Sequence, residues 1–140
     1  MADLYTFINN TSRNHLILKN GFVDDLEYMD VGLELSAFIE DIISDRRLSL
    51  RTQDKLNSLF REHTKNSDSI GIYLALTKIG ILFEPQLKID IESLFNRWSQ
   101  NMTLVIDMGR GKLSENLLYL TADSSDAYSV SLESINHIIL

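Results

Sequence analysis

Ile70-Gly71-Ile72-Tyr73-Leu74-Ala75-Leu76-Thr77 is an apolar, β-rich run without a charged residue. Such a run is typical of a strand covered on both faces, as in the centre of an α/β sheet, because a half-exposed strand would alternate. Pro85, the only proline, marks a break after this run. Asp90 then caps a predicted helix whose apolar positions, at spacings of three and four, are Ile91, Leu94, Phe95 and Trp98. Together with a strand over 103–108, these segments predict a crossover unit.

The chain before this unit predicts two strands and two helices. His15–Lys19 is a strand candidate, Asn20-Gly21 is a turn signal, and 26–31 is a second, weaker strand. One predicted helix covers roughly 32–44, with an apolar stripe of Leu35, Phe38, Ile39, Ile42 and Ile43. The next begins at 49 or 52 and ends at about 65, and a polar loop at 66–69 follows it. Asp3 begins a short predicted helix that bears Leu4, Phe7 and Ile8.

The chain after this unit predicts mainly β structure. A loop at 109–112 precedes a strand over 113–121, a turn at 123–126 and a hairpin return over 128–132. Residues 138–140 form a terminal strand or a short helix. The sequence therefore predicts an α/β fold in which helices flank the sheet, with a C-terminal β-hairpin.

Composition restricts the classes of protein to which the chain can belong. At 140 residues it predicts one domain spanning 1–140. The chain has no cysteine, no apolar run of membrane-spanning length and no signal-like start, so we expect a cytoplasmic protein without membrane attachment. Thirteen basic against twenty acidic residues, a formal charge of −7, disfavour direct nucleic-acid binding and favour a basic protein partner or a place in a larger assembly.

Acidic residues concentrate early in the chain, at Asp24, Asp25, Glu27, Asp30 and Glu34. Their oxygens suit a hard cation, but their spacing matches no calcium loop. A solvated acidic edge is the plainer interpretation, and a docking surface for a basic partner is the third. The three histidines lie far apart in sequence and predict no metal site, and no nucleophile motif is present.

Gly109-Arg110-Gly111-Lys112 is the one compact glycine-basic loop of the sequence. It follows a predicted strand, where ligand sites of α/β sheets often lie, so Arg110 and Lys112 are candidate phosphate contacts. The loop is not a phosphate-binding motif, and no helix start follows it. A hairpin-like connection is the better interpretation.

From about Val31 to the end, the chain resembles the small P-loop protein of bacteriophage-exclusion (BREX-type) defence gene clusters. The most specific piece is Ile79–Asp90, in which an apolar segment that ends at Phe83 is followed by Glu84-Pro85-Gln86-Leu87-Lys88-Ile89-Asp90. Two shorter pieces are 31–36, which lead into a helix, and 99–105, which open a strand; the loop and hairpin after Gly109 also match. The resemblance implies a reduced P-loop-like sheet in an antiviral defence protein.

Two departures from this family concern the nucleotide machinery. Only residues 20–25 separate the first two strands, too few for both a glycine-rich cradle and a helix, and no lysine-hydroxyl pair is present. The central strand, which in the family ends at Phe83 and carries an acidic residue, has none in Tyr73–Thr77. Because phosphoryl transfer depends on these groups, the chain is predicted to have no catalytic residue, no metal and no cofactor.

The first hypothesis is therefore a non-catalytic P-loop-related subunit of a prokaryotic antiviral defence complex. It would act by protein-protein contacts with a larger defence ATPase or effector, or with further copies of itself. Candidate contacts are Asp24, Asp25, Glu27, Asp30, Glu34, Arg110 and Lys112. The alternatives are a residual nucleotide or nucleic-acid binder using residues 109–112 with Arg46, Arg47 and Arg97, and an acidic inhibitor that mimics DNA.

Overall fold

The computed structural model describes residues 14–119 and 129–140. In these ranges the chain forms nine strands and three α-helices. In chain order they are β1 (Leu16–Lys19), β2 (Tyr28–Asp30), α1 (Val31–Ile42), α2 (Leu48–His63), β3 (Lys65–Ser67), β4 (Gly71–Thr77), two 3₁₀ helices (Ile79–Phe83 and Pro85–Leu87), α3 (Ile91–Trp98), β5 (Thr103–Asp107), β6 (Lys112–Ser114), β7 (Leu117–Tyr119), β8 (Ser129–Ser131) and β9 (His137–Ile139).

The main sheet is mostly parallel. Five parallel strands lie in the order β2-β4-β5-β1-β9, and β3 adds antiparallel pairing along the first half of β4. A second sheet, β6-β7-β8, is antiparallel. The predicted α/β class with a C-terminal hairpin is thereby confirmed. Of the two alternatives for residues 138–140, a strand or a short helix, the structure shows the strand.

The predicted crossover unit is present. Strand β4 is buried from Tyr73 to Thr77, and α3 connects it to its parallel neighbour β5. The Asp90 carboxylate accepts a hydrogen bond from the Ser93 amide at 3.0 Å and so caps α3. Trp98, on the buried side of this helix, meets the Phe60 ring edge-on, with centroids 5.3 Å apart. The helix is thereby fixed against α2 as well as the sheet.

The two faces of the main sheet are covered differently. Side chains at alternate positions of each strand, Leu16, Leu74 and Leu104 among them, share one large core with the buried residues of all three helices. The opposite face presents Ile17, Ala75, Tyr73 and Val105. Among the described residues, Val23, Leu26 and Leu140 pack over this second face, and Tyr28 of β2 and Ile138 of β9 extend it onto the outer strands. We call residues 20–27, which join β1 to β2, the β1–β2 connection.

Some predicted boundaries were wrong. Lys78 adopts a left-handed conformation, with φ of 56°, which ends β4, so Ile79–Phe83 form a 3₁₀ helix where the resemblance placed a strand end. The strand predicted over 113–121 is two strands, because Glu115 and Asn116 both have positive φ and turn the chain back as a two-residue hairpin. Residues 65–67, partly predicted as loop, pair with β4. The short helix from Asp3 and the turn at 123–126 lie outside the described residues.

Candidate functional site

The carboxyl ends of β1, β4 and β5 meet at one edge of the main sheet. Parallel strands point the same way, so Lys19, Thr77 and Asp107 end neighbouring strands at this edge. Ligands of open α/β sheets bind outside the carboxyl ends of the strands, which makes this edge the first place to look for a site.

Asp107 is the centre of a hydrogen-bond network at this edge. One carboxylate oxygen accepts from the backbone N–H groups of Gly21 and Gly109, each at 2.8 Å. The other oxygen accepts from the Thr77 hydroxyl at 2.7 Å. Charge-assisted bonds of this length are among the stronger ones in proteins. The carboxylate therefore joins the ends of three strands, and its lone pairs are largely engaged by the chain itself.

The β1–β2 connection does not form a phosphate cradle. It contains a bend and a turn, and within it the structure describes no helix. A strand-to-helix loop binds phosphate because free N–H groups and the positive helix end point at the ligand. Here the next helix is α1, and the carboxylate of Asp30 accepts from the Leu33 amide at its N-terminus, at 2.9 Å. A phosphate approaching that helix end would meet a negative charge.

The loop at 109–112 is held by hydrogen bonds within the loop and by hydrogen bonds from Asn20, which directly follows β1. The Asn20 side-chain amide donates to the carbonyl oxygens of Gly109 and Gly111, at 2.9 and 2.8 Å. The Gly111 amide donates to the Met108 carbonyl, and the Gly109 amide is already bonded to Asp107. A phosphate loop does not fit this geometry, since the two glycine N–H groups are in use. The predicted hairpin-like connection was wrong as well, because the loop joins β5 of the main sheet to β6 of the second sheet.

Arg110 lies in this loop, and Lys112 begins β6 directly after it. Arg110 is exposed, and the Lys112 ammonium lies 6.0 Å from the centre of the Tyr119 ring. Arg97 is near the C-terminal end of α3, which runs back toward the start of β5, whereas Arg110 follows the end of β5. The structure therefore places Arg97 and Arg110 at opposite edges of the sheet.

The five acidic candidates do not form one cluster. Asp24, Asp25 and Glu27 lie on the β1–β2 connection and are exposed. Asp30 is the cap of α1, and Glu34 is in the first turn of that helix, where a negative charge complements the helix dipole. In residues 14–119 and 129–140 no three His, Cys, Asp or Glu side chains are grouped so that they could hold a metal ion.

Two tyrosine hydroxyls attach the connection to the sheet. The Val23 amide donates to the Tyr28 hydroxyl at 2.8 Å, and the Glu27 amide donates to the Tyr73 hydroxyl at 3.0 Å. Burial raises the pKa of Tyr28, the hydrogen bond from Val23 opposes this, and the negative charge of Asp107 adds to the rise. Phe22 stacks at a tilt on Tyr28, with centroids 4.6 Å apart, while 58% of its surface stays exposed.

A groove of about 500 Å³ runs between the connection and the face of the sheet that bears Ile17 and Val105, and we call it the connection groove. Its walls combine apolar side chains with a few charged ones: Ile17, Lys19, Val23, Asp24, Asp25, Leu26, Ser69, Ile70, Val105 and Leu140. A second, polar hollow of about 500 Å³ adjoins it and contains Asp25, Glu27 and Lys65. Lys65 forms an exposed ion pair with Glu27 at 3.4 Å.

Sequence reasoning missed Asp107, Tyr28 and Tyr73 as site residues. The one available signal for Asp107 was a carboxylate at the end of a buried strand, immediately before Met108-Gly109. The hydroxyl contacts of the two tyrosines depend on how the connection folds over the sheet, which no local pattern encodes.

No family model, no curated protein and no solved structure matches the chain. None of the helices in the described part of the chain is both long enough and apolar enough to cross a membrane.

Proposed function

We propose that this chain is a non-catalytic, P-loop-related subunit of a prokaryotic antiviral defence complex that acts in the cytoplasm through protein-protein contacts. The observation that carries the proposal is the carboxyl edge of the main sheet. There the Asp107 carboxylate is engaged by Gly21, Gly109 and Thr77, and Asp30 occupies the N-terminus of α1. The edge at which a P-loop protein would hold a triphosphate is therefore filled with the chain's own hydrogen bonds.

The β1–β2 connection is the contact surface that we assign to this function. It presents an exposed aromatic ring, Phe22, beside three exposed carboxylates and a partly apolar groove. Aromatic side chains are enriched in protein interfaces, and complementary charge around them steers and orients the partner. The partner is accordingly a basic surface, on a larger ATPase or effector of the same defence system.

Co-expression with the products of the flanking genes tests this proposal. We expect one product to co-elute with the chain, and we expect Asp24→Lys combined with Glu27→Lys to weaken that complex at least tenfold. Asp54→Lys combined with Glu62→Lys is the matched control, since both residues are exposed on α2 and the change in charge is the same.

Two results would contradict the proposal. One is ATP turnover that is lost when Thr77 or Asp107 is substituted, which would mean that the edge is catalytic. The other is saturable binding of labelled nucleotide or DNA at low salt that is lost in Arg110→Ala and Lys112→Ala, which would favour a residual nucleotide or nucleic-acid binder.

A further inference from the structure

Another hollow lies on the helix-covered side of the molecule, away from the β1–β2 connection. It measures about 390 Å³ and is formed by α1 together with the two 3₁₀ helices. Its apolar lining is Ile39 of α1, Ile43 directly after that helix, Ile81 and Leu87. The exposed side chains of Glu40 and Glu84 also line it. We call this hollow the α1 trough. Four of its lining residues, Ile81, Glu84, Gln86 and Leu87, belong to the Ile79–Asp90 piece, to which the proposed function assigns no contact.

The trough is built in advance of any ligand. The 3₁₀ segment is anchored by Leu82 and Phe83, which are buried in the main core, and is stiffened by Pro85. Lys78 and Lys88, which flank this segment, have φ of 56° and 51°. Non-glycine residues adopt this left-handed geometry only where the surroundings enforce it. A rigid wall binds with less loss of conformational entropy than a loop that must first be ordered.

The chemistry of the trough selects its occupant. Its floor is aliphatic, and the charged side chains among its lining residues are the carboxylates Glu40 and Glu84. Ile43 keeps 50% of its surface exposed at the open end. A binder must therefore offer aliphatic side chains to the floor and positive charge to the rim. A second copy of this chain suits it poorly, because each copy carries a formal charge of −7.

We propose that the α1 trough binds an amphipathic, lysine- or arginine-rich helix of a protein partner. Such helices dock by laying residues at i, i+3, i+4 and i+7 into a hydrophobic groove. The trough and the connection groove lie on opposite faces of the main sheet, since α1 packs on the helix-covered face. The chain then joins two partners, one on each face. The adaptor role rests on the proposed function, whereas the binding preference of the trough does not.

A designed peptide measures that preference directly. The probe is a fluorescein-labelled helix of about 18 residues with leucine on one face and lysine elsewhere. Two control peptides are a scrambled isomer, which has no apolar face, and a version with glutamate in place of lysine. We expect saturable binding of the lysine helix by anisotropy, weakening as salt is raised, and binding at least tenfold weaker for both controls.

Variants and amide chemical shifts locate the site. Glu40→Lys with Glu84→Lys should weaken binding about tenfold, and Ile43→Ser about fivefold. The matched controls are Asp54→Lys with Glu62→Lys, and Ile72→Ser, because Ile72 has 52% of its surface exposed. These controls should change the affinity less than about twofold. Shifts on binding should concentrate in residues 36–43 and 81–87.

Three results would overturn the inference. They are equal binding of the scrambled isomer, shifts centred outside the two segments, and a homodimer that Ile43→Ser dissociates, since a second copy would then cover the trough. None of them bears on co-elution through Asp24 and Glu27, so failure here is distinguishable from failure of the proposed function.

Discussion

The two faces of the main sheet show two ways of covering the same strands. On one face, α1, α2 and α3 bury large side chains such as Phe60 and Phe95 against leucines of β1, β4 and β5. On the other, the β1–β2 connection lies over smaller residues such as Ala75 and Val105. The first face is held by apolar burial, which is not directional. On the second face, apolar packing of Val23 and Leu26 is joined by directional hydrogen bonds from the connection to Asp107, Tyr28 and Tyr73. Within the described residues, the larger apolar core therefore lies on the face covered by the helices, and we expect most of the stability to come from it.

The largest predicted effect tests this difference directly. Phe95→Ala removes a fully buried ring from the helix-covered core, and we expect it to lower the free energy of unfolding by about 3–5 kcal/mol in urea denaturation. Phe22→Ala, on the exposed ring of the connection, should cost less than about 1 kcal/mol. Equal losses in the two variants would remove the distinction between the faces.

Asp107→Asn should have the next largest effect. The amide keeps one acceptor oxygen where the carboxylate has two, so bonds from Gly21, Gly109 or Thr77 are lost. We expect about 2 kcal/mol of destabilisation, together with faster amide hydrogen exchange in residues 20–27 than in α2. Thr77→Val, which removes one donor of the three, should cost about half as much. If exchange became as much faster in α2 as in residues 20–27, Asp107 would support both faces of the main sheet equally.

Tyr28→Phe should cost about 1 kcal/mol at neutral pH, because the Val23 amide loses its acceptor. It should also change how the free energy of unfolding depends on pH under alkaline conditions. Burial raises the pKa of Tyr28 in the folded state. The stabilisation that the neutral hydroxyl gives the folded state is therefore complete below the unfolded pKa of about 10, and it is lost as pH rises toward the folded pKa. Unfolding free energies measured from roughly pH 9 to 11 should therefore fall less steeply in the variant than in the parent. An unchanged slope would contradict this assignment.

Lys65→Ala should have the smallest effect. It breaks the exposed ion pair with Glu27, and such pairs contribute about 0 to 1 kcal/mol. Thermal unfolding at low and high salt measures the loss, which added salt should make smaller still. A loss comparable to that of Tyr28→Phe would show that the connection depends on its charges as well as on its hydrogen bonds.

The parts of the fold that follow from local patterns were predictable. The uncharged run at 70–77, the Asp90 cap and the spacing of Ile91, Phe95 and Trp98 specify β4 and α3 without tertiary information. The hairpin at Glu115 and Asn116 was missed because the apolar residues around it continue the strand pattern, although Asn tolerates positive φ.

The candidate site was less predictable, because it is assembled from distant segments. Asp107 and Gly21 are 86 positions apart in sequence, and their contact follows from the pairing of β1 with β5. The acidic residues from Asp24 to Glu34 looked continuous in sequence, yet the start of α1 separates them into an exposed group and a helix cap. Closeness in sequence was therefore a poor guide to which of these acidic residues share one surface.

The bonds around Asn20 and Gly21 have a consequence for the chemical ageing of the protein. Asn-Gly sequences deamidate when the glycine nitrogen attacks the asparagine side-chain carbonyl and closes a succinimide ring. Here the Gly21 amide is bonded to Asp107, and the Asn20 side chain is held by two backbone carbonyls. We therefore expect this dipeptide to deamidate more slowly in the folded chain than in the unfolded chain. A gain of about one dalton at this dipeptide would record how often the carboxyl edge opens.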